Sequence, residues 1–216
     1  MSQPSLCVNE IFYSLQGEGT RAGERCVFVR LTGCNVRCSY CDTQYAFEEG
    51  QIMTLDQVLW CVRGYGCPLV EVTGGEPLLQ PPVYQLLTTL AGEVDTVLLE
   101  TSGTMPIQNV DPRVVRILDV KCPGSGVADR NHWPNLDLLT PRDEVKFVVL
   151  DRTDYDWAKD IIVRHGLLTR CPVLLSPVFG VLQPNELASW VLLDQLDVRV
   201  GLQLHKLIWP ATKRGI

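Results

Sequence analysis

The chain has 216 residues, of which 46% are hydrophobic and 20% are charged, and this balance suits a globular protein with a buried core. The formal net charge of −6 disfavours nucleic acid as a partner, because phosphate binding needs clustered Lys and Arg. No apolar run is long enough to span a bilayer, so we expect no membrane association. At this length, with no linker or repeat, we expect a single domain over residues 1–216.

Short runs rich in Val, Leu and Ile alternate with helical patterns, and this alternation predicts a parallel sheet covered by helices. The predicted strands are 27–31, 69–73, 96–100, 115–120, 145–150, 173–176 and 198–204. The predicted helices are 55–62 with Thr54 as N-cap, 83–90, 154–165 and 184–193, the last with Pro184 in its first turn. Six or seven strands are too few for an eight-stranded barrel. We therefore expect an α/β fold built as a partial (β/α)6-type barrel.

Nine cysteines are a high and odd number for this length, which speaks against a disulfide framework. The N-terminal residues 1–5 lack the basic and apolar regions of a secretion signal. Together these features favour reduced thiols and a cytoplasmic location.

Polar or glycine-rich segments follow most of the predicted strands. They are the segments 32–43, 73–77, 100–103, 121–123, 176–177 and 203–206. Ligands of parallel α/β folds bind at the carboxyl ends of the strands, so we expect these segments to form one pocket.

Three cysteines, Cys34, Cys38 and Cys41, stand in the order C-x3-C-x2-C on a loop that begins at Gly33. Four thiolates would saturate a zinc ion or complete the ligation of an iron–sulfur cluster, whereas three leave one position open. A structural zinc knuckle with a borrowed fourth ligand remains an alternative. The chain has no second CxxC pair, so a [4Fe–4S] cluster with one free iron is the favoured interpretation.

The segment Thr73-Gly74-Gly75-Glu76-Pro77 follows a predicted buried strand. Two successive glycines let the backbone approach a ligand closely, because neither has a Cβ atom. A plain β-turn is the alternative.

The cysteine loop and this glycine segment together resemble the radical S-adenosylmethionine superfamily. The resemblance implies that S-adenosylmethionine binds the free iron and that its reductive cleavage gives a 5′-deoxyadenosyl radical, which takes hydrogen from a substrate. It also implies that Tyr40 lies beside this cofactor and that the glycine segment binds its amino end.

Three further segments, 14–19, 41–43 and 203–210, are similar to the 7-carboxy-7-deazaguanine synthase family of the queuosine pathway. That family contracts 6-carboxy-5,6,7,8-tetrahydropterin with release of ammonia and needs Mg²⁺. For the cofactor, the resemblance implies contacts from Tyr40, Cys41, Asp42, Gly75, Asp119, Lys121 and Ser176. For the substrate, it implies contacts from Leu15, Gln16, Gly17, Glu18, Arg30, Thr73, Glu100, His205 and Pro210.

Arg30 would hold the substrate carboxylate, and Thr43 would offer its hydroxyl to Mg²⁺ with Asp42 nearby. Some family members end near the equivalent of Pro210, where the terminus closes the pocket. Here residues 211–216 follow, so this extension is the alternative closure. No catalytic side chain is assigned beyond the cofactor contacts.

Two other functional classes remain open at this stage. A glycyl-radical-enzyme activase shares the cofactor but acts on a protein backbone, whereas the segments 16–19, 42–43 and 205–206 favour a small anionic substrate. A ferredoxin would ligate every iron with protein. The family resemblance also predicts an electron donor of unknown identity and a homodimer.

Overall fold

Nine strands form one sheet in the computed structural model, which describes residues 3–216. The strands are β1 (Ser5–Leu15), β2 (Arg25–Leu31), β3 (Gln51–Thr54), β4 (Leu69–Gly74), β5 (Thr96–Thr101), β6 (Val115–Val120), β7 (Glu144–Val149), β8 (Val173–Pro177) and β9 (Arg199–Val200). Their order in the sheet is β3-β1-β2-β4-β5-β6-β7-β8-β9. The single-domain organisation over 1–216 stays a prediction, which this continuous sheet supports.

Five α-helices accompany the sheet within residues 3–216. They are α1 (Leu55–Tyr65), α2 (Val83–Leu90), α3 (Arg152–Arg164), α4 (Pro184–Leu193) and α5 (Leu204–Ile208). The predicted N-cap of α1 is confirmed, because the Thr54 hydroxyl accepts from the Gln57 amide while the Gln57 side chain accepts from the Thr54 amide. Pro184 is the first residue of α4, as the sequence predicts.

Neighbouring strands pair in parallel from β2 through β4, β5, β6, β7 and β8 to β9. In contrast, β1 pairs antiparallel with both β2 and β3. The sequence analysis missed β1 and β3. The first predicted strand was 27–31, whereas β1 already occupies Ser5–Leu15 and buries Leu6, Val8 and Phe12.

The predicted strand 198–204 was also wrong in extent. Only Arg199–Val200 pairs with β8, and the chain enters α5 at Leu204. The alternating pattern that predicted a longer strand therefore ends in a helix. The Leu204 amide donates to the Gly17 carbonyl at 2.9 Å, so this helix begins on the loop that follows β1.

The sheet curves into an open barrel. Strands β4, β5 and β6 separate β2 from β7, which in a flat sheet would hold them about 19 Å apart. Yet Thr20, in the loop between β1 and β2, donates its backbone amide to the Glu144 carboxylate on β7 at 3.1 Å. Among the described residues β3 and β9 are the sheet's two ends and do not pair, so the partial barrel is confirmed.

The two faces of the parallel strands differ in chemistry. One face carries apolar residues packed with the helices, such as Val70, Val72, Val145 and Phe147, all fully buried. The face toward the barrel interior carries charged and polar side chains, and this face positions the site. In the described part of the chain, 3–216, no helix combines the length and apolar character needed to cross a bilayer. The expectation about a secretion signal rests partly on Met1 and Ser2, which lie outside the described residues.

Candidate active site

A cavity of about 850 Å³ lies inside the open barrel. It brings together nearly all the residues that the sequence analysis selected: Leu15, Gln16, Gly17, Glu18, Arg30, Cys34, Cys38, Tyr40, Cys41, Asp42, Thr43, Thr73, Gly75, Glu100, Asp119, Lys121, Ser176 and His205. Pro210 is the exception. The predicted convergence of strand-end segments therefore occurs at the carboxyl ends of β2, β4, β5, β6 and β8.

The cysteine loop is fastened on both sides by backbone hydrogen bonds. The Gly33 amide donates to the Ala46 carbonyl at 2.8 Å, and the Gly33 carbonyl accepts from the Glu76 amide at 2.8 Å. Further along, the Ser39 amide donates to the Ser125 carbonyl at 3.0 Å. These bonds hold the three thiols against the cavity.

The glycine segment packs directly on this loop. A Cβ atom at Gly75 would lie 2.3 Å from the Gly33 carbonyl oxygen and 2.7 Å from Cys34 Cβ, so only glycine allows this approach. Glu76, the next residue, has a structural role. Its carboxylate is fully buried and accepts from the Thr101 hydroxyl at 2.9 Å and the Ser102 amide at 2.8 Å, which joins the ends of β4 and β5.

The three cysteine side chains are free thiols that are partly exposed to the cavity. Burial raises the pKa of the Cys34 and Cys38 thiols. Within residues 3–216, no three His, Cys, Asp or Glu side chains converge on the position of a single metal ion. Three cysteines that each bind a different iron of a cluster need no such convergence. The donor set therefore fits a [4Fe–4S] cluster, which the three thiolates would hold.

Side chains for a polar cofactor lie beside the cysteine loop. Asp119 is 8% exposed, and its Oδ1 is a buried acceptor without a hydrogen-bond partner in the described residues. Its Oδ2 accepts from Lys121 Nζ at 2.8 Å. A buried acceptor without a donor is costly, so this oxygen fits a ligand hydroxyl or amine. Tyr40 donates its hydroxyl to the Val148 carbonyl at 3.2 Å, and Ser176 is buried in the same wall.

Arg30 lines the same cavity from β2. Its Nε donates to Glu10 Oε1 at 2.8 Å, and the same oxygen accepts from the Tyr45 hydroxyl at 3.0 Å. Burial raises the pKa of Tyr45 to about 12, so this hydroxyl keeps its proton at neutral pH. The guanidinium also lies 5.8 Å from the centre of the Phe12 ring. Glu10, Tyr45 and Phe12 thus orient a cation that lines the cavity.

A cluster of charged side chains spans the interior between β1 and β7. Lys146 Nζ donates to Glu18 Oε2 at 3.0 Å and to Glu100 Oε1. Burial alone would raise the pKa of Glu18, but the ammonium of Lys146 and the amide of Gln203 hold it below its usual value. Glu71, which is 3% exposed, accepts from the Gln16 amide. Burial and the nearby Glu100 raise the pKa of Glu71 to about 8, so this carboxyl is neutral at pH 7.

The α5 helix closes one side of the cavity. Lys206 Nζ donates to Asp42 Oδ2 at 2.5 Å, and Gln203 Nε2 donates to the same oxygen at 3.2 Å. His205 packs on the loop after β1 so tightly that a Cβ at Gly17 would lie 2.2 Å from its Nδ1. Burial lowers the pKa of His205, which favours the neutral imidazole. The Thr43 hydroxyl is 3.8 Å from Cys41 Sγ and reaches the same cavity.

Pro210 is exposed and does not line the cavity. Residues 211–216 line it instead, so the extension takes the place that the resemblance gave to Pro210. Arg214 anchors the extension, because its guanidinium lies 3.8 Å from the centre of the Tyr45 ring and its Nη1 is 2.7 Å from Glu49 Oε2.

The sequence analysis missed Glu71 and Lys146, which are central to the cavity. Both had a signal. Each is a charged residue inside an otherwise apolar strand, in the runs Leu-Val-Glu-Val and Val-Lys-Phe-Val-Val. A charge in a strand that is buried on both faces must meet a partner or a ligand. Glu10 and Tyr45, which hold Arg30, carried no comparable signal.

Residues 28–164 match the model of the radical SAM superfamily. The match covers more than half of the chain and includes the cysteine loop and the glycine segment. The chain belongs to this superfamily and is a radical S-adenosylmethionine enzyme.

The comparison with curated proteins is more specific. The chain is 49% identical to 7-carboxy-7-deazaguanine synthase of Chlorobaculum tepidum, across 100% of this chain and 99% of the relative. It is 45% identical to 7-carboxy-7-deazaguanine synthase of Koribacter versatilis, across 97% and 99% of the two chains. The chain belongs to the 7-carboxy-7-deazaguanine synthase family, so the zinc knuckle, the ferredoxin and the activase are set aside.

A solved structure shares the fold. The crystal structure of QueE from Escherichia coli superposes with a TM-score of 0.77, at 22% sequence identity, over 93% of this chain and 95% of that chain. At this identity the likeness concerns the architecture alone.

Proposed function

We propose that this enzyme contracts the ring of 6-carboxy-5,6,7,8-tetrahydropterin to 7-carboxy-7-deazaguanine with release of ammonia, in queuosine and 7-deazapurine biosynthesis. One observation carries the proposal. A single cavity is lined by the three cysteines, by Arg30, which Glu10 holds in place, and by the carboxylates of Glu18 and Glu100, and this set suits a heterocycle that carries a carboxylate and N–H donors. Full-length similarity to synthases of that name supports the same reaction.

Each polar part of this substrate has a partner in the cavity. The Arg30 guanidinium, oriented by Glu10, would hold the 6-carboxylate through its terminal nitrogens. Glu18 and Glu100 would accept hydrogen bonds from the amino and ring N–H groups of the pterin. Leu15, Gln16, Gly17, Thr73 and His205 would complete the pocket. Because several strands and α5 contribute these groups, the substrate is held in one orientation.

The site would hold two cofactors and one metal ion. A cluster on Cys34, Cys38 and Cys41, together with S-adenosylmethionine, supplies the hydrogen-abstracting 5′-deoxyadenosyl radical when bound. Tyr40, Cys41, Asp42, Gly75, Asp119, Lys121 and Ser176 would contact S-adenosylmethionine. Thr43 would bind Mg²⁺ through its hydroxyl oxygen, a hard ligand that this ion accepts. The extension 211–216 would limit water at the mouth of the cavity.

The same proposal covers the protein's surroundings. A reduced cluster requires an electron donor, which would be a further partner of this enzyme. A homodimer is expected from the family resemblance. The nine cysteines are all free and lie within the described residues, which is compatible with a reducing compartment such as the cytoplasm.

The test is anaerobic reconstitution with iron and sulfide, followed by incubation with reductant, S-adenosylmethionine, Mg²⁺ and 6-carboxytetrahydropterin. We expect 7-carboxy-7-deazaguanine in the mass spectrum. A brown protein that cleaves S-adenosylmethionine but leaves the pterin unchanged would contradict the substrate assignment. A colourless protein that retains stoichiometric zinc would contradict the cluster as well.

A further inference from the structure

Lys146 is a buried cation at the centre of the cavity wall. It lies on β7, and its side chain is 7% exposed. Its Nζ contacts three carboxylates: Glu100, Glu18 at 3.0 Å and Asp119 at 3.8 Å. These three come from β5, from the loop after β1 and from β6, so one ammonium joins three separate parts of the barrel.

The geometry orients the Glu18 carboxylate and leaves one oxygen of Glu100 toward the cavity. Glu18 uses Oε2 for Lys146 and Oε1 for Gln203, which fixes its plane. Glu100 meets Lys146 through Oε1, so its carboxylate is anchored at one oxygen. A purely structural ion pair would be expected to satisfy all its acceptors within the protein. This cluster also contains Asp119 Oδ1, which has no partner among residues 3–216.

Resting on the proposed function, we propose that Lys146 is a positioning residue that holds Glu18 ionised and orients both Glu18 and Glu100 as acceptors for the N–H edge of the pterin. Lys146 reaches the substrate through these two carboxylates. It contributes mainly to substrate binding. Asp119, which we assign to S-adenosylmethionine, meets Lys146 only at 3.8 Å and is held by Lys121 at 2.8 Å, so it keeps a cation partner without Lys146.

The charges around Lys146 show why its ammonium matters. Several carboxyl groups face Lys146 from the loop after β1, from three neighbouring strands, from the cysteine loop and from its own strand: Glu18, Glu71, Glu100, Asp119, Asp42 and Glu144. The cations Lys121, Lys206 and Arg30 line the same cavity. Although burial alone would lower the pKa of Lys146, Glu100, Glu18 and Asp119 raise it well above its usual value. Without this cation the carboxylates repel one another, and at least one takes up a proton.

A protonated Glu18 would present an O–H donor to the donor groups of the pterin, and a Glu100 side chain without its ammonium partner would lose its orientation. The mismatch leaves a buried polar group unpaired, which weakens binding strongly. The substitution Lys146→Met removes the charge at similar volume, whereas Lys146→Arg keeps it. Lys159→Met is the matched control, because Lys159 pairs with Asp194 at 2.7 Å away from the cavity.

The first experiment measures two equilibrium dissociation constants on the anaerobic reconstituted enzyme without reductant, for S-adenosylmethionine and for 6-carboxytetrahydropterin. We expect Lys146→Met to raise the Kd of the pterin at least about tenfold and to leave that of S-adenosylmethionine within about twofold. Lys146→Arg should recover most of the pterin affinity. Equal weakening of both ligands, or an arginine variant no better than the methionine variant, would show a merely structural lysine and overturn the proposal.

The second experiment needs no ligand. Infrared titration of the protonated carboxylic acid band from pH 5 to pH 9 should show at least one additional protonated acid at pH 7 in Lys146→Met relative to wild type and Lys159→Met. An unchanged band would overturn the role of Lys146. A wild-type enzyme that binds S-adenosylmethionine but not the pterin would contradict the proposed function, while the infrared result still decides whether Lys146 keeps the carboxylates ionised.

Discussion

Two buried charge clusters lie at opposite ends of β6. They differ in whether the protein itself satisfies all of their buried hydrogen-bonding groups. At the amino end, Arg116 Nε donates to Asp143 Oδ1 at 3.0 Å, and the same carboxylate accepts from the Arg116 and Thr140 amides at 2.8 and 2.7 Å. The guanidinium Nη2 donates to Asp143 Oδ2 at 2.5 Å and to the Leu138 carbonyl at 3.0 Å. This cluster is satisfied within the protein.

Three residues further along the same strand, Asp119 belongs to a cluster that the protein leaves incomplete. Its Oδ1 is buried without a partner in the described residues, and the neighbouring carboxylates face a cavity. A satisfied cluster stabilises a fold, whereas an incomplete one needs a ligand. Changes at the amino end should therefore alter stability, and changes at the carboxyl end should alter binding and turnover.

At the carboxyl end of the strands, the largest loss of activity is expected from Cys38→Ala. We expect loss of the iron–sulfur absorbance and at least about a 1000-fold loss of turnover, because two thiolates cannot hold a cluster with one free iron. The melting temperature of the iron-free protein should change little, since Cys38 is partly exposed. Cys61→Ala on α1 is the control, and iron content is measured for both variants. A Cys38→Ala protein with full iron content would contradict the ligand assignment.

At the amino end, Asp143→Ala should show the opposite pattern. It leaves Arg116 buried without its carboxylate, so we expect a loss of about 3–5 kcal/mol in the free energy of unfolding. Denaturant unfolding of wild type and variant measures this difference. The folded fraction should keep its affinity for S-adenosylmethionine, because neither residue lines the cavity. Weakened binding of S-adenosylmethionine in a fully folded variant would contradict the assignment of this cluster to stability alone.

Arg30→Lys tests the substrate side. A lysine keeps the charge but loses the planar pair of donors, so we expect the KM for the pterin to rise about 10- to 100-fold with little change in stability. The control is Arg25→Lys, the same exchange at an exposed position on the same strand. Steady-state kinetics at saturating S-adenosylmethionine measure the effect. A rise of equal size in both variants would remove the special role of Arg30.

Glu71, in the cavity, should make the free energy of unfolding depend on pH. Its pKa in the folded protein is about 8, above the usual 4.5, so between these values the folded state binds one more proton than the unfolded state. The stabilising contribution is complete below pH 4.5, falls as pH rises toward 8, and is lost above it, with a slope of at most about 1.4 kcal/mol per pH unit. Glu71→Gln should flatten this part of the stability curve, whereas the exposed Glu48→Gln should not. Denaturant unfolding from pH 5 to pH 9 measures both, and parallel curves for wild type and Glu71→Gln would contradict the shift.

The smallest effect is expected from Arg214→Ala. The guanidinium fastens the extension through the Tyr45 ring and Glu49, and exposed contacts of this kind are weak. We expect the KM for the pterin to rise about two- to fivefold with an unchanged kcat. Arg63→Ala, which breaks a surface ion pair with Glu93 far from the cavity, is the control. An unchanged KM would show that the extension does not close the site.

The sequence predicted those elements of the fold that depend on local properties of the chain. The apolar runs predicted β6 with its observed bounds, and α2 and α4 agree as well, because period and capping are local properties. The antiparallel β1 was missed, because polar residues such as Asn9 and Glu10 separate its buried Leu6, Val8 and Phe12, so it forms no apolar run of the kind that predicted the other strands. The extent of β9 was overpredicted, because the same alternation in residues 198–204 ends in α5.

By itself the sequence determined the three thiols on one loop, the glycine segment that approaches them and the family to which the chain belongs. These features depend on spacing within a few residues, which chain geometry fixes. Tertiary structure alone decided that Lys146 meets Glu18 across 128 positions of the chain, that residues 211–216 and not Pro210 reach the cavity, and that Glu71 is neutral at pH 7. A charge placed on a strand acquires its partner only when the sheet curves, and its protonation follows from that partner and from the loss of water around it.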